Sequence, residues 1–267
     1  MPVVLSEVPL IILHDNFVKP DEIKELLAAT THGENRTTVV DNVTGDSVYS
    51  NYRTGKLGYV ADGLPIAEKI MARLISITNV RRCQIEGFQV LRYGVADQYL
   101  PHTDFFHPGV QAYAKQITYG GQRIMSVIMC LQAAEEGGAL DFPQIKVTRK
   151  LETGDAVIFW DLDKEGRGDM RTEHAAMPVI KGEKISLVCW IRERAFNGSE
   201  EKAPLPTEQQ LKGMLQQSKN LRQVECGKAV EKALEYFDCV INQTSRPVVD
   251  HKTGLIVLKR EFRVEAR

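Results

Sequence analysis

The sequence predicts a mainly β protein with flanking helices, its strands closing into one barrel, and three observations carry that prediction. Glu86–Tyr99 is rich in aromatic and β-branched residues with partial alternation, which suits a strand or two. Ala156–Trp160 (AVIFW) and Ile185–Ile191 (ISLVCWI) are two further short apolar runs. Between these runs stand His102, Asp104 and a lone downstream His174, with Lys184 just before the last of them. Ligand-type residues donated by separate strands of one barrel fit that order.

Taken along the chain, the remaining elements are as follows. Residues from about Asn35 to Gly63 have little apolar content and read as a long loop, a candidate substrate lid. Asn197–Pro206 is polar and turn-forming, which suits a linker. It divides the chain into a domain at 1–196 and a small α+β C-terminal appendage at 197–267. Thr207 with Gln210 suggests a capping box. Leu211, Met214 and Leu215, then Val230, Ala233, Leu234 and Phe237, lie at helical spacing. They predict one broken helix or two short ones, packed on the barrel or on a second copy as a homodimer contact. Arg246–Arg267 reads as a hairpin turning at Asp250–Gly254. Lys259, Arg260 and Arg263 on its last strand guard an edge more readily than they recognise an acidic substrate.

Composition places limits on function. The formal charge of -1 gives no overall attraction to nucleic acid or to an anionic membrane. The five cysteines form no CxxC pair and no even framework, which favours a reducing compartment. The apolar run Pro9–Leu13 has no basic stretch before it and is too short for a signal peptide or a membrane span. The expected location is therefore cytoplasmic.

His102 and Asp104 are two apart. On a β-strand such residues point to the same side and reach one metal ion, whereas on a helix they diverge. With six histidines in the chain, that spacing alone carries little weight. Two His and one carboxylate on one face of an octahedral Fe(II) leave the other face open for a cosubstrate and O2.

The surrounding residues are more specific. Pro9–Phe17 leads into Pro20–Ala29, and Asn51-Tyr52-Arg53-Thr54 follows. Gln89–Tyr93 is next, then Gln98–Phe106 (QYLPHTDFF), Gly121-Gln122-Arg123, Glu136-Gly137-Gly138 and Phe142-Pro143. Gly154-Asp155-Ala156, Phe159-Trp160, His174, Gly182-Glu183-Lys184 and Trp190-Ile191-Arg192 complete the order. This succession resembles the prolyl 4-hydroxylase branch of the Fe(II)- and 2-oxoglutarate-dependent oxygenases over most of residues 8–194.

The resemblance implies a double-stranded β-helix, the jelly-roll or cupin-like core, with His102, Asp104 and His174 as iron ligands. Lys184 would pair with the distal carboxylate of 2-oxoglutarate, and Tyr93 would line the cosubstrate pocket. Arg53, Arg123 and Trp190 match positions near the substrate. The implied cofactors are Fe(II), 2-oxoglutarate and O2, with ascorbate as an optional reductant.

The implied reaction hydroxylates an unactivated C–H bond of a prolyl residue, an amino acid or an amino-acid-derived metabolite. It is coupled to decarboxylation of 2-oxoglutarate to succinate and CO2. A carboxylate at Asp104, where a related halogenase has a small residue, favours hydroxylation. The competing reading is a catalytically silent or non-2-oxoglutarate binding protein on the same barrel.

Three departures from the family pattern stand out. Ala139-Leu140-Asp141 replaces the usual Glu-Thr. Glu173 precedes His174 where an apolar residue is common. Phe105–Gly121 is an insertion whose His107 reads as a loop histidine rather than a substrate contact.

Overall fold

The computed structural model describes residues 2–31 and 36–196, together with the backbone of strands Arg246–Asp250 and Leu255–Lys259. Eight strands form the larger sheet, in the order Pro2–Glu7, Leu10–His14, Ala156–Trp160, Arg123–Gln132, Lys184–Arg192, Gln89–Tyr93, Lys56–Val60 and Thr30–Thr31. Four form the smaller one, in the order Val147–Arg149, Leu140–Phe142, His174–Ala176 and Tyr99–His102. From Gln89 onward the chain passes back and forth between the sheets, Leu140–Phe142 and Val147–Arg149 being consecutive in the smaller one, and the described pairings are antiparallel. That alternation is the winding of a double-stranded β-helix.

Residues of period two explain why the larger sheet has two apolar faces. All nine residues of Lys184–Arg192 are buried. Ile185, Leu187, Cys189 and Ile191 point to a core shared with two helices. Lys184, Ser186, Val188 and Trp190 point the other way, into the barrel. On the neighbouring strand, Met125, Val127, Met129 and Leu131 join the helical core, and Cys130 joins the barrel interior beside Leu140, Phe142, Val157 and Phe159.

The helices are Pro20–Ala29 and Pro65–Thr78, each opening on a proline whose missing N–H costs nothing there. Ile66, Ala67, Ile70, Met71 and Leu74, at helical spacing, are buried against the sheet. Asn79 closes the second helix in the left-handed conformation, its N–H donating to the Ile75 carbonyl. Buried Glu22 accepts two hydrogen bonds from Arg73, at 2.8 and 2.6 Å, and so ties one helix to the other.

The structure departs from the expected lid between Asn35 and Gly63. Thr38–Val40 and Ser47–Tyr49 pair as a hairpin, and Lys56–Val60 is a strand of the larger sheet. Only Gly58 and Val60 of that strand are buried, so its apolar signal is faint. Phe105–Gly121 contains a short helix, Tyr113–Thr118. The C-terminal hairpin forms with Val248 opposite Val257. The linker at 197–206 and the helical stripes between Leu211 and Phe237 lie outside the described residues.

Gly168 links the fold to the site. It bridges Leu162 across a turn, and a Cβ there would fall within the ring of buried Phe105, the residue after Asp104. Gly168→Ala is expected to destabilise the chain by about 1–3 kcal/mol through overpacking, measured by denaturant unfolding. Unchanged stability would show that the Phe105 ring can move aside freely.

Candidate metal centre and its pocket

His102 ends the strand Tyr99–His102 and His174 begins the strand His174–Ala176; the two residues are register partners in the smaller sheet. Their rings are 4.3 Å apart, centroid to centroid. Asp104 lies just beyond the strand, in a bend, rather than on it. The expectation that one strand carries both His102 and Asp104 is thus corrected. The bend carries the carboxylate inward, to where the Ser126 hydroxyl meets Oδ2 at 2.7 Å.

Each imidazole is oriented by its own backbone. Nδ1 of His102 lies 2.9 Å from the Leu100 carbonyl, and Nδ1 of His174 lies 3.0 Å from that of Thr172. A carbonyl only accepts, so each Nδ1 donates and each Nε2 is the ring nitrogen left to meet a metal ion. Those Nε2 atoms face Asp104 at 3.7 and 3.6 Å. One ligand atom from each residue falls within 4.8 Å of the others. The donor set of two imidazole nitrogens and one carboxylate oxygen fits ferrous iron. The Thr172 carbonyl is itself placed by a 3-10 turn, Met170–Thr172, capped by Asp169.

Electrostatics support that ligation state. Burial, reinforced by the neighbouring His174, lowers the His102 pKa to about 3, so the ring is neutral at physiological pH. Burial opposes ionisation of Asp104, but His174, His102, Arg123 and the Ser126 hydrogen bond together hold its carboxyl below the usual range. Phe142 and Phe159 pack on His174, with ring centroids at 5.8 and 4.9 Å, and shield it from water.

The triad opens into a cavity that is also lined by Lys184. Lys184 is 4 % exposed, and its ammonium donates to the Gly138 carbonyl at 2.7 Å. It has no carboxylate partner among the described residues. Burial lowers its pKa to about 8, with Cys130 acting weakly in the opposite direction. Gly138 takes a positive φ of 68°, and this conformation turns its carbonyl toward the amine. Tyr93 is the register partner of Lys184 on the next strand and is 3 % exposed. Burial raises its phenol pKa, so the hydroxyl is a donor.

The other anticipated residues separate into two groups. Arg53 and Trp190 line the cavity. Arg53 stacks over Tyr99 at 4.7 Å, and Tyr99 in turn lies flat on His102 at 3.5 Å. Arg123 is held away from the cavity lining by Glu86, which accepts from its Nε and Nη2 at 2.9 and 3.0 Å. Its guanidinium lies 3.9 Å over the Trp190 ring, so it braces that wall. His107 meets the Thr103 hydroxyl at 2.8 Å. Glu173 faces outward to Gln144.

Tyr99, Ser126 and Asp161 were not anticipated. Their signals were a polar residue inside the apolar run RIMSVIMCL, an acid directly after the buried run AVIFW, and an aromatic three residues before the first ligand.

Comparison with known proteins agrees with this geometry. The family model of the 2OG-Fe(II) oxygenase superfamily matches residues 88–192, a span that includes all three ligands and Lys184. Prolyl 4-hydroxylase 1 of Arabidopsis thaliana is 33% identical over 210 residues, which cover 73% of this chain and 72% of that protein. Prolyl 4-hydroxylase subunit alpha-2 of Caenorhabditis elegans is 30% identical over 187 residues, and the chain spans only 34% of that larger subunit. The 2OG complex of a viral collagen prolyl hydroxylase from Paramecium Bursaria Chlorella virus-1 shares the fold, with a TM-score of 0.52, 24% identity and coverage of 68% of this chain and 95% of that one. The chain belongs to the prolyl 4-hydroxylase-like branch of the 2OG-Fe(II) oxygenases.

Proposed function

We propose that this chain hydroxylates an unactivated C–H bond, that of a prolyl residue before that of a free amino acid or related metabolite. The observation that carries the reading is one cavity lined both by the His102, Asp104 and His174 triad and by a buried Lys184 ammonium that has no carboxylate partner among the described residues. A buried charge without a partner is costly, and a dicarboxylate end supplies the partner. The preference for a prolyl substrate rests on the Arabidopsis relative, which is named a prolyl 4-hydroxylase.

When bound, iron and 2-oxoglutarate supply the oxidising power: O2 is consumed, the keto acid leaves as succinate and CO2, and one oxygen atom enters the substrate as hydroxyl. The chain's own residues bind, orient and exclude. His102, Asp104 and His174 offer three ligand atoms from one side. Lys184 and the Tyr93 hydroxyl hold the far carboxylate of the keto acid. Val188 and Trp190 keep that end of the cavity dry, which strengthens the ion pair. Arg53 and Trp190, at the cavity wall, are the candidate substrate contacts. A binding protein without turnover would have no need of an intact triad beside an uncompensated lysine. The cytoplasmic reading rests on the cysteines, of which Cys83, Cys130 and Cys189 are free thiols.

Anaerobic addition of Fe(II) and 2-oxoglutarate is expected to give a visible charge-transfer band, followed in air by succinate formation coupled to a proline-containing peptide. His174→Ala is expected to lose both while keeping its unfolding midpoint; a variant that turned over normally would refute the ligand assignment. Succinate formation that responds only to free amino acids would move the substrate assignment to small molecules.

Lys184 should impose a pH dependence on cosubstrate binding. Only the ammonium pairs with a carboxylate, and its pKa in the free chain is about 8. Apparent 2-oxoglutarate affinity is therefore level below that pH and falls about fivefold between pH 8 and 9, as calorimetry would record. Lys184→Ala is expected to weaken binding by at least about thirtyfold and to abolish this slope. A slope that survived the substitution would assign it to another group.

A further inference from the structure

Hydrogen counting around Ser126 identifies a residue behind the triad. Its Oγ lies 2.7 Å from Asp104 Oδ2 and 2.8 Å from Asp161 Oδ2. Both are O–H···O distances. A serine hydroxyl carries one hydrogen, so one of the two carboxyls must supply the second. Asp104 faces the Nε2 atoms of both histidines and, as a metal ligand, must be ionised.

Asp161 is in the opposite situation. It is 0 % exposed, no cation pairs with it among the described residues, and its Oδ1 has no hydrogen-bond partner. A carboxylate so placed would leave a charged oxygen unsatisfied in an apolar setting, whereas a carboxylic acid leaves only a neutral carbonyl oxygen. Burial, and next the charge of Asp104, raise its pKa well above the ordinary value.

We propose that Asp161 is a positioning residue for the metal centre: as a carboxylic acid it donates to Ser126 Oγ, and Ser126 donates to Oδ2 of Asp104. The hydroxyl thereby fixes the carboxylate in the orientation in which Oδ1 faces Nε2 of His102 and Oδ2 faces Nε2 of His174. The backbone holds Asp161 in place, since its N–H donates to the Ile124 carbonyl and its own carbonyl accepts from Asp169. Asp161 begins the segment that leads to Thr172 and His174. The relay therefore joins the turn that orients one ligand to the carboxylate that supplies another. This inference rests on the reading of His102, Asp104 and His174 as ligands, but not on which substrate is oxidised.

The test uses the full chain with Co(II) alone, without 2-oxoglutarate or substrate, titrated by visible absorption. Ser126→Ala is expected to weaken Co(II) binding by about ten- to a hundredfold, the usual cost of losing a group that orients a ligand. Asp161→Asn, whose amide donates where the acid did, is expected to stay within about threefold of the parent. In the infrared difference spectrum of parent against Asp161→Asn, the parent should show a carboxylic-acid C=O stretch, well above the carboxylate region, that the variant lacks.

Absence of that stretch overturns the proposal. So does a Ser126→Ala chain that binds Co(II) as tightly as the parent, or an Asp161→Asn chain that binds no better than Ser126→Ala. A parent that binds no Co(II) removes the metal-centre reading itself, whereas parental binding with unaltered variants refutes only the relay. Unfolding curves for each variant separate loss of fold from loss of the relay, and the infrared comparison decides the protonation of Asp161 even if Ser126→Ala does not fold.

Discussion

The pairing of His102 opposite His174 across two strands of the smaller sheet is the constraint on which the rest of the site depends. Facing residues of an antiparallel pair have their Cβ atoms about 4.5–5.5 Å apart, close enough for two imidazoles to share one ion without any loop having to fold over it. The Leu100 and Thr172 carbonyls, each two residues before its histidine, then set both tautomers. Of the three candidate ligands Asp104 alone is supplied from outside a strand, and it is also the one that takes a side-chain hydrogen bond, from Ser126. Where the backbone ladder stops fixing a ligand, a side chain takes over that task.

Charge inside the barrel follows a second logic. Depressing Lys184 from the ordinary lysine range to about 8 corresponds to roughly 3 kcal/mol of differential solvation. At neutral pH that amount counts against the folded state, because unfolding releases the ammonium to water. A carboxylate from outside offsets it, so the chain gives up stability in order to have a preformed site for a dicarboxylate. Glu86 serves the opposite purpose. It neutralises Arg123 and also accepts from Arg192 at 3.0 Å, so those two cations support Trp190 and Phe106 rather than compete with Lys184 for the anion.

Legibility in the sequence followed the physical source of each signal. Strands buried on both faces, such as Ile185–Ile191, announced themselves by apolar content, and the ligands and Lys184 stood out as polar residues beside such runs. Lys56–Val60 did not stand out, because Lys56 and Tyr59 are exposed and its membership of the larger sheet comes from backbone pairing with Gln89–Tyr93. For Arg123 the resemblance implies a position near the substrate; its ion pair with Glu86 joins residues far apart in sequence and is visible only in the fold. Asp104 fell off its strand because residue spacing does not report where a ladder ends.

The segments between strands carry a different kind of energetics. The hairpin Thr38–Val40/Ser47–Tyr49 meets the short helix Tyr113–Thr118 through the Ala112 N–H to Asn42 carbonyl bond and through Lys115, which donates to Asp46 and to the Thr44 carbonyl. These contacts lie at the surface, where exposed ion pairs contribute little and weaken with salt. Arg53 connects this region to the metal centre, since its Nη1 donates to the Thr38 carbonyl while its guanidinium covers Tyr99, which stacks on His102. The triad that fits iron thus rests on buried, backbone-set geometry that tolerates little change. The hairpin and the short helix rest instead on exposed contacts joined by weak bonds, which can be exchanged at small cost to the fold. A barrel divided in this way keeps one chemistry while its loops decide which C–H bond is presented.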